Sequence, residues 1–308
     1  MSRVLVLGNA TVDVIQRVER LPLPGETVLA LSMGRCAGGK GLNQAVASAR
    51  TGASTTLAAA VGTDPDAAFL AEGIANEPDL SMTWITCDAA TDLSAIWVAR
   101  DGENVIVSSA DCARSVTAVQ ASCLCSTLAS GDVLLMQGNL SAEATVAAAQ
   151  IAVGRGATRI LNTAPIAWDM QPALGLFDIV IANAGEARIL TKGASEVGTA
   201  MRNLGVRTTI VTLGSKGALI NADGVETKID APHVTTIDTT GAGDVFAGTL
   251  AGLLANGSVL QEAAAVAVAA ASLSVTRSNT TPSFPTRDEV ATLTGQARPL
   301  NKGHTSDA

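Results

Sequence analysis

In DTTGAGD, residues 238–244, a carboxylate follows two bare glycines just before a long apolar stretch. Gly241 and Gly243 let backbone N–H groups converge on one concavity with no side chains in the way. A helix starting near Ala242 would add its positive dipole end to the same point. Gly241, Ala242 and Gly243 are therefore a candidate anion hole. Asp244, in the first helical turn, is placed to take the proton of a hydroxyl attacking a phosphoryl group. The hole would hold the charge that develops on that group. An ordinary glycine-rich loop with a carboxylate at a helix N-terminus has the same spacing. On these residues alone both readings stand.

A second glycine stretch, GRCAGGKGLN at 34–43, nearly matches a P-loop at Gly34, Gly39 and Lys40. The hydroxyl residue that should ligate magnesium is Gly41, and 30–37 reads as a poor strand, so the P-loop is rejected. A helix N-terminus after Gly41, with Lys40 and Asn43, suits a polyhydroxyl substrate; a glycine linker into a helix is the alternative. LGNATVD offers only Gly8 after the first strand, so a dinucleotide fingerprint, and with it a Rossmann dehydrogenase, is disfavoured. Asp13 follows that strand at its carboxyl end, where open parallel sheets bind ligands, although a turn aspartate would read the same way. Asn183 and Glu186 follow the strand FDIVIAN at the same edge; they also fit a helix N-cap with a carboxylate three residues on. Lys216, in GSKG, reads as a solvated turn lysine.

These residues need elements to position them. VLVLG (4–8), STTLAAAVG (54–62), DVLLMQG (132–138), TRILNTAP (158–165), FDIVIAN (177–183) and RTTIVTLG (207–214) read as strands. LNQAVASARTG (42–52) and the segments 141–153, 195–204, 243–256 and 260–276 read as helices. Alternating strands and helices call for a parallel sheet covered on both faces. Two regions break the rhythm. Residues 10–37 contain Pro22, Pro24 and Gly25 and no clear helix. Residues 82–107 alternate like antiparallel strands around an Asp-Gly turn, which suggests a small second sheet acting as a lid or dimer surface. No internal repeat is found.

Composition narrows the function. The 308 residues are 47% apolar, enough for a large core, with 2% aromatics and no tyrosine. A net charge of −8 argues against nucleic-acid binding through phosphates. No signal peptide is read at the start, and the apolar run from Ala263 is too short to span a bilayer. Five cysteines without a Cys-x-x-Cys pair suit reduced thiols in a cytoplasmic protein. His233 and His304 are the two histidines, one beside Pro232 and one in the polar tail, which argues against a histidine zinc site or triad.

Six motifs together carry a resemblance. PLPGET (22–27), GGKGLNQAVA (38–47), DGENVIV (101–107), TLGSKG (212–217), DTTGAGD and VTRSNTTPSFP (275–285) come in the order seen in ribokinases, which are PfkB-type sugar kinases. The chain resembles that family over about residues 3–295. The resemblance implies a ribokinase-like parallel sheet flanked by helices on both faces, with a small β-sheet lid. The α/β domain would be residues 1–9, 38–81 and 108–295, the lid 10–37 and 82–107, and 296–308 a disordered tail. It implies transfer of the ATP γ-phosphate to a sugar hydroxyl with Mg2+, K+ activation, and a homodimer through the lids. Carried over by motif, Asp244 is the base and Gly241, Ala242 and Gly243 the anion hole. Thr11, Asp13, Gly39, Lys40, Asn43 and Asn139 face the sugar. Asn183 and Glu186 serve phosphates and magnesium. Thr212, Gly214 and Gly217 line the nucleotide pocket. Asp238, Thr240, Ser274, Arg277, Asn279 and Ser283 match the potassium loop, mostly through backbone carbonyls.

The departures bear on substrate. Thr11 stands where ribokinases carry an asparagine, and Asn139 where they carry a sugar-binding glutamate. Thr249 replaces a small residue, and Asn279 a frequent glycine. The reading is an ATP-dependent kinase of a pentose or related sugar, with a nucleoside kinase on the same fold as the alternative. A catalytically dead sugar- or nucleotide-binding regulator is disfavoured by the intact GAG and Asp244.

Overall fold

The computed structural model describes residues 2–193 and 203–297. The apolar runs become the strands of a nine-stranded sheet, in spatial order β13-β12-β11-β10-β9-β8-β1-β4-β5. These are β1 (Val4–Gly8), β4 (Thr55–Val61), β5 (Leu80–Thr86), β8 (Val133–Gln137), β9 (Thr158–Asn162), β10 (Ile179–Asn183), β11 (Thr208–Thr212), β12 (Ala218–Ala222) and β13 (Val225–Ile229). The strands from β5 to β11 are parallel, and β12 and β13 add an antiparallel edge. All five residues of β1 and of β8 are buried, as expected of central parallel strands covered on both faces.

Among the described residues the α-helices are α1 (Lys40–Ala49), α2 (Pro65–Ile74), α3 (Asp111–Ser115), α4 (Ala118–Cys125), α5 (Ala142–Arg155), α6 (Ala184–Leu190), α7 (Ala242–Ala255), α8 (Leu260–Ser274) and α9 (Arg287–Ala297). They divide into two layers with separate cores. Val6, Leu42, Val46, Phe246 and Leu250 belong to one face of the sheet, and Leu7, Met136, Ala148 and Leu174 to the other.

A second, four-stranded sheet has the order β3-β2-β6-β7, from β2 (Thr11–Val18), β3 (Ser32–Gly38), β6 (Leu93–Ala99) and β7 (Asn104–Ser108). Two sequence expectations change here. Residues 82–86 are not part of the small sheet; they lie in β5, the parallel edge of the large one. An edge strand meets the core mainly through one face, here Leu80, Met82 and Trp84, with Ile85 packing on the other side, so its burial alternates over most of its length much as in an exposed antiparallel strand. The segment 30–37, read as a poor strand, contains most of β3 (Ser32–Gly38); pairing with β2 overrides weak local propensity. The helix read at 195–204 lies outside the described residues up to 202. Gln296 and Ala297 complete α9, and the rest of the expected tail, 298–308, lies outside them too.

Candidate active site

One packing detail assembles the centre of the site. Asp244, Gly248 and Gly252 recur every fourth residue, so they share one face of α7. A methyl at Gly248 would strike the carbonyl of Gln44, and one at Gly252 would strike Thr51 and the carbonyl of Ser48. The two bare positions therefore let α1 lie directly on α7. This contact brings the N-terminal turns of both helices together at the carboxyl edge of the sheet.

Asp244 sits at that junction and is 5% exposed. Its Oδ1 accepts from Gln44 Nε2 at 3.0 Å and its Oδ2 from Asn43 Nδ2 at 3.1 Å. Gln44 is fully buried, and its Oε1 accepts from Gln137 Nε2 at 2.8 Å. Gln137 thus fixes the Gln44 amide so that a donor faces the carboxylate. Lys40 Nζ lies 3.9 Å from Asp244 Oδ1. Gly241 caps α7 with a φ of 81°, and a side chain there would run into the Phe284 ring. The geometry is a desolvated carboxylate, a lysine and a helix N-terminus around one point.

Asp13 faces this centre from β2. It too is 5% exposed, and its Oδ1 accepts from Thr11 Oγ1 at 2.7 Å. Ser94, from β6, donates to Thr11 at 3.2 Å. Burial pushes the Asp13 carboxyl up to about 6, and the charge of Asp244 adds to the rise, against hydrogen bonds from Thr11 and Ser94. Gly38 has no room for a side chain because the Asp13 carboxylate occupies it, and Gly39 abuts the backbone of Thr11. The second glycine stretch thus brings the sheet-to-helix turn against the carboxylate.

Two adjoining cavities open beside Asp244. The first, about 230 Å³, is lined by Lys40, Asn162, Asn183, Glu186, Gly243 and Asp244 among others. The second, about 370 Å³, shares Asn183, Thr212 and Gly243 with it. Its walls include Pro232, Val234, Phe246, Val268 and Val275, with Gly214 and Gly217 at one side. It can take a flat apolar group, and the first can take an anion. Asn183 caps α6, and both Glu186 oxygens are engaged, by Asn183 and by Thr163 Oγ1 at 3.2 Å.

Of the residues expected around potassium, Thr240 and Asn279 meet Asp238. Its carboxylate accepts from the backbone N–H of Thr240 at 2.9 Å and of Asn279 at 3.3 Å, which joins the two loops. Asn279 has a φ of 77°, so it keeps the left-handed backbone that a glycine would adopt easily. Ser274 and Ser283 donate to their own helical turns, and the Arg277 guanidinium pairs with Glu289 at 2.5 Å. Arg277 can therefore offer a cation only its main chain. Asn139 lies two residues past β8 at the same edge, and its Oδ1 is buried with no partner among the described residues.

Sequence reading overlooked Gln44, Gln137, Ser94 and Asn162. Gln137 and Asn162 carry a usable signal: each is a polar residue ending an apolar strand, where such a group must find a partner or a ligand. Gln44 had none beyond its neighbour Asn43.

A family model described as pfkB family carbohydrate kinase matches residues 1–287. The ribokinase of Haemophilus influenzae is 32% identical over 293 residues, 92% of this chain and 95% of that protein. A mouse ribokinase is 32% identical over 82% of each chain. The crystal structure of a Thermotoga maritima ribokinase superposes with a TM-score of 0.87 at 28% identity, covering 95% of this chain and 99% of that one. The Arabidopsis thaliana ribokinase complexed with ribose and ATP superposes with a TM-score of 0.82 at 26% identity, over 96% and 99%.

Proposed function

Because the chain belongs to the pfkB family of carbohydrate kinases, we propose that it transfers the γ-phosphate of ATP to a hydroxyl of a pentose or related sugar. The observation that carries this reading is Asp244, buried and held by two amides at the N-terminus of α7 beside two adjoining cavities. Asp244 accepts the proton of the sugar hydroxyl as it attacks. The backbone of Gly241, Ala242 and Gly243 faces the charge on the transferring group, and Lys40 adds a cation there. Asp13, Thr11, Gly39 and Asn43 orient the sugar, and Asn139 offers a neutral acceptor. The apolar cavity takes the base, with Thr212, Gly214 and Gly217 along it. The α/β layers, lid and carboxyl-edge site are consistent with the similarity to the Arabidopsis ribokinase complexed with ribose and ATP.

The donor set fits the expected ions. Among the described residues no cluster of three or more His, Cys, Asp or Glu could hold a metal. Magnesium typically needs only one or two carboxylates when phosphates supply the rest, and Glu186 with Asn183 lines the anion cavity. Asp238 and the main chain of Thr240, Ser274, Arg277, Asn279 and Ser283 are oxygen donors suited to potassium. When bound, magnesium would neutralise phosphate charge, and potassium would fix the loop behind the anion hole.

Val105, Ile106 and Val107 on β7 and Met33 on β3 are exposed apolar side chains of the small sheet, which supports a homodimer through the lids. With β5 in the larger sheet, the lid is residues 10–37 together with β6 and β7. No helix among the described residues is long and apolar enough to cross a membrane; we place the enzyme in the cytoplasm on its unpaired thiols. The test is a phosphorylation screen with ATP over pentoses, hexoses, sugar acids and nucleosides. Turnover of a pentose supports the reading. Turnover of nucleosides alone replaces it with the nucleoside kinase alternative, and no turnover of any acceptor removes it.

A further inference from the structure

We propose that Cys87 and Cys112 form an oxidisable dithiol whose disulfide ties together the two chain segments that carry one hairpin of the lid. The two sulfurs lie 3.0 Å apart, and both thiols are free. Cys87 directly follows β5, where the chain leaves the large sheet for β6, and Cys112 lies in α3, just after the chain returns from β7. The pair is separated by 25 positions, and the β6–β7 hairpin fills most of that loop. Neither cysteine lines the two cavities beside Asp244.

The surroundings hold the sulfurs in register. The Asp92 carboxylate, at the foot of β6, accepts from the backbone N–H of Cys112 at 3.2 Å and of Ala113 at 2.9 Å. The neighbouring Thr91 N–H donates to Asp64 at 2.7 Å. Outgoing and returning segments are thus already bridged by a shared carboxylate. A disulfide would make that bridge covalent. It needs an S–S distance of about 2.05 Å, so the sulfurs must close by roughly 1 Å. Residues 87–92 are neither helix nor strand, but the Cys87 N–H is held by the Val61 carbonyl at 3.0 Å, so the closure falls chiefly on rotation of the two Cys side chains.

The chemistry has an order. Cys87 is half-buried, whereas Cys112 is buried and its thiol is pushed up to about 12, chiefly by burial. Cys87 is therefore the entry point for an oxidant such as oxidised glutathione. Its thiolate attacks one sulfur of that disulfide, forming a mixed disulfide and releasing one glutathione. Cys112 then attacks the Cys87 sulfur and releases the second glutathione. The protein's thiols lose two electrons to the glutathione disulfide, and their two protons end on the two glutathione thiols. In a reducing compartment such a bond is transient and regulatory. The hairpin it tethers carries Ser94, which supports Thr11 and through it Asp13, and lid opening commonly sets turnover in enzymes that close over their substrate.

The reduced protein is incubated with oxidised glutathione, its remaining thiols are alkylated, and it is digested without reductant. Cys123, which is exposed, reports by its own glutathionylation that the oxidant acted. The expected product is a cross-linked peptide pair containing Cys87 and Cys112, with a loss of kcat that dithiothreitol reverses. Cys87→Ser and, separately, Cys112→Ala should keep their kcat through the same treatment. The kcat readout rests on the kinase reading above, whereas the peptide map does not. Cys87 and Cys112 each found alkylated while Cys123 is glutathionylated would overturn the proposal. So would a cross-link that leaves kcat unchanged, or an equal loss of kcat in Cys87→Ser.

Discussion

Replacing Asp244 by asparagine preserves size and removes the proton acceptor, and the network around it sets what else changes. The two carboxylate oxygens accept one amide donor each, from Gln44 at 3.0 Å and Asn43 at 3.1 Å. An asparagine has one oxygen and satisfies one of these donors. Its own NH2 then faces the other donor. Gln44 cannot turn its amide to help without breaking its 2.8 Å bond from Gln137. A lost bond costs about 0.5 to 1.5 kcal/mol and a buried unsatisfied donor about 1 to 3 kcal/mol, so a lower melting temperature is expected. The catalytic loss is separate. General base catalysis contributes about 10² to 10⁴-fold, which is about 3 to 5 kcal/mol of barrier. The assay is kcat by coupled ADP release, with sugar and ATP affinities by calorimetry in the same preparation. We expect kcat to fall by that factor and both affinities to stay within about tenfold, or 1.4 kcal/mol. A folded Asp244→Asn enzyme with near wild-type kcat would refute the assignment of the base, and so would a loss traced wholly to weaker sugar binding.

Three further outcomes follow from the same geometry. Potassium should raise kcat over sodium or no monovalent salt, because Asp238 joins the two loops behind the anion hole; equal rates in all three buffers would sink the idea. Asp13 has a folded pKa raised from 3.8 to about 6, so its relative stabilisation of the fold is complete below pH 3.8 and is lost as pH rises through about 6. Asp13→Asn should therefore melt higher than wild type at neutral pH by an amount on the order of 3 kcal/mol, lose that advantage near pH 4, and bind sugar about ten- to a hundredfold more weakly; a melting difference independent of pH would contradict the shift. Asn139→Glu should move kcat/KM toward D-ribose, most clearly when combined with Thr11→Asn, by about ten- to a hundredfold for one charge-assisted hydrogen bond; a wild-type enzyme that already prefers D-ribose to every other sugar tested would count against it.

The large sheet was legible because its strands are short apolar runs at regular spacing, and β1, β4, β8, β9, β10 and β11 fall within the runs read as strands. The lid was harder. Its β3 is exposed over its first four residues and its β2 mixes polar and apolar residues, so neither shows a continuous apolar run, and β5 alternates like a lid strand while belonging to the other sheet. Helix α2 begins with Asp64 capping and Pro65 in its first turn, a start signal readable in the sequence, although few of its residues are buried. The helix start at Gly241–Asp244 was legible because its bare glycines mark a turn into an apolar helix. Gln44 was not, because its role depends on two glycines a full two hundred positions away letting one helix lie on another, a contact that no local pattern records.

That dependence explains how the site concentrates charge. The ionisable side chains that face its centre are Asp13, Asp244, Lys40 and Glu186, while Asn43, Gln44, Gln137, Asn139, Asn162 and Asn183 supply the rest of the polar edge as neutral amides. Burial raises the Asp13 carboxyl, and the charge of Asp244 adds to the rise. A fourth carboxylate, at Asn139, would add like charge beside Asp244. The side-chain oxygens of Asn43, Gln137 and Asn139 are buried and have no partner among the described residues. Such atoms are costly unless a donor reaches them, and a sugar is a dense array of hydroxyl donors. In the proposed kinase, neutral acceptors would satisfy those hydroxyls without adding like charge beside Asp244. On the proposed function, the amide at 139 would bear on Asp244 as much as on the choice of sugar.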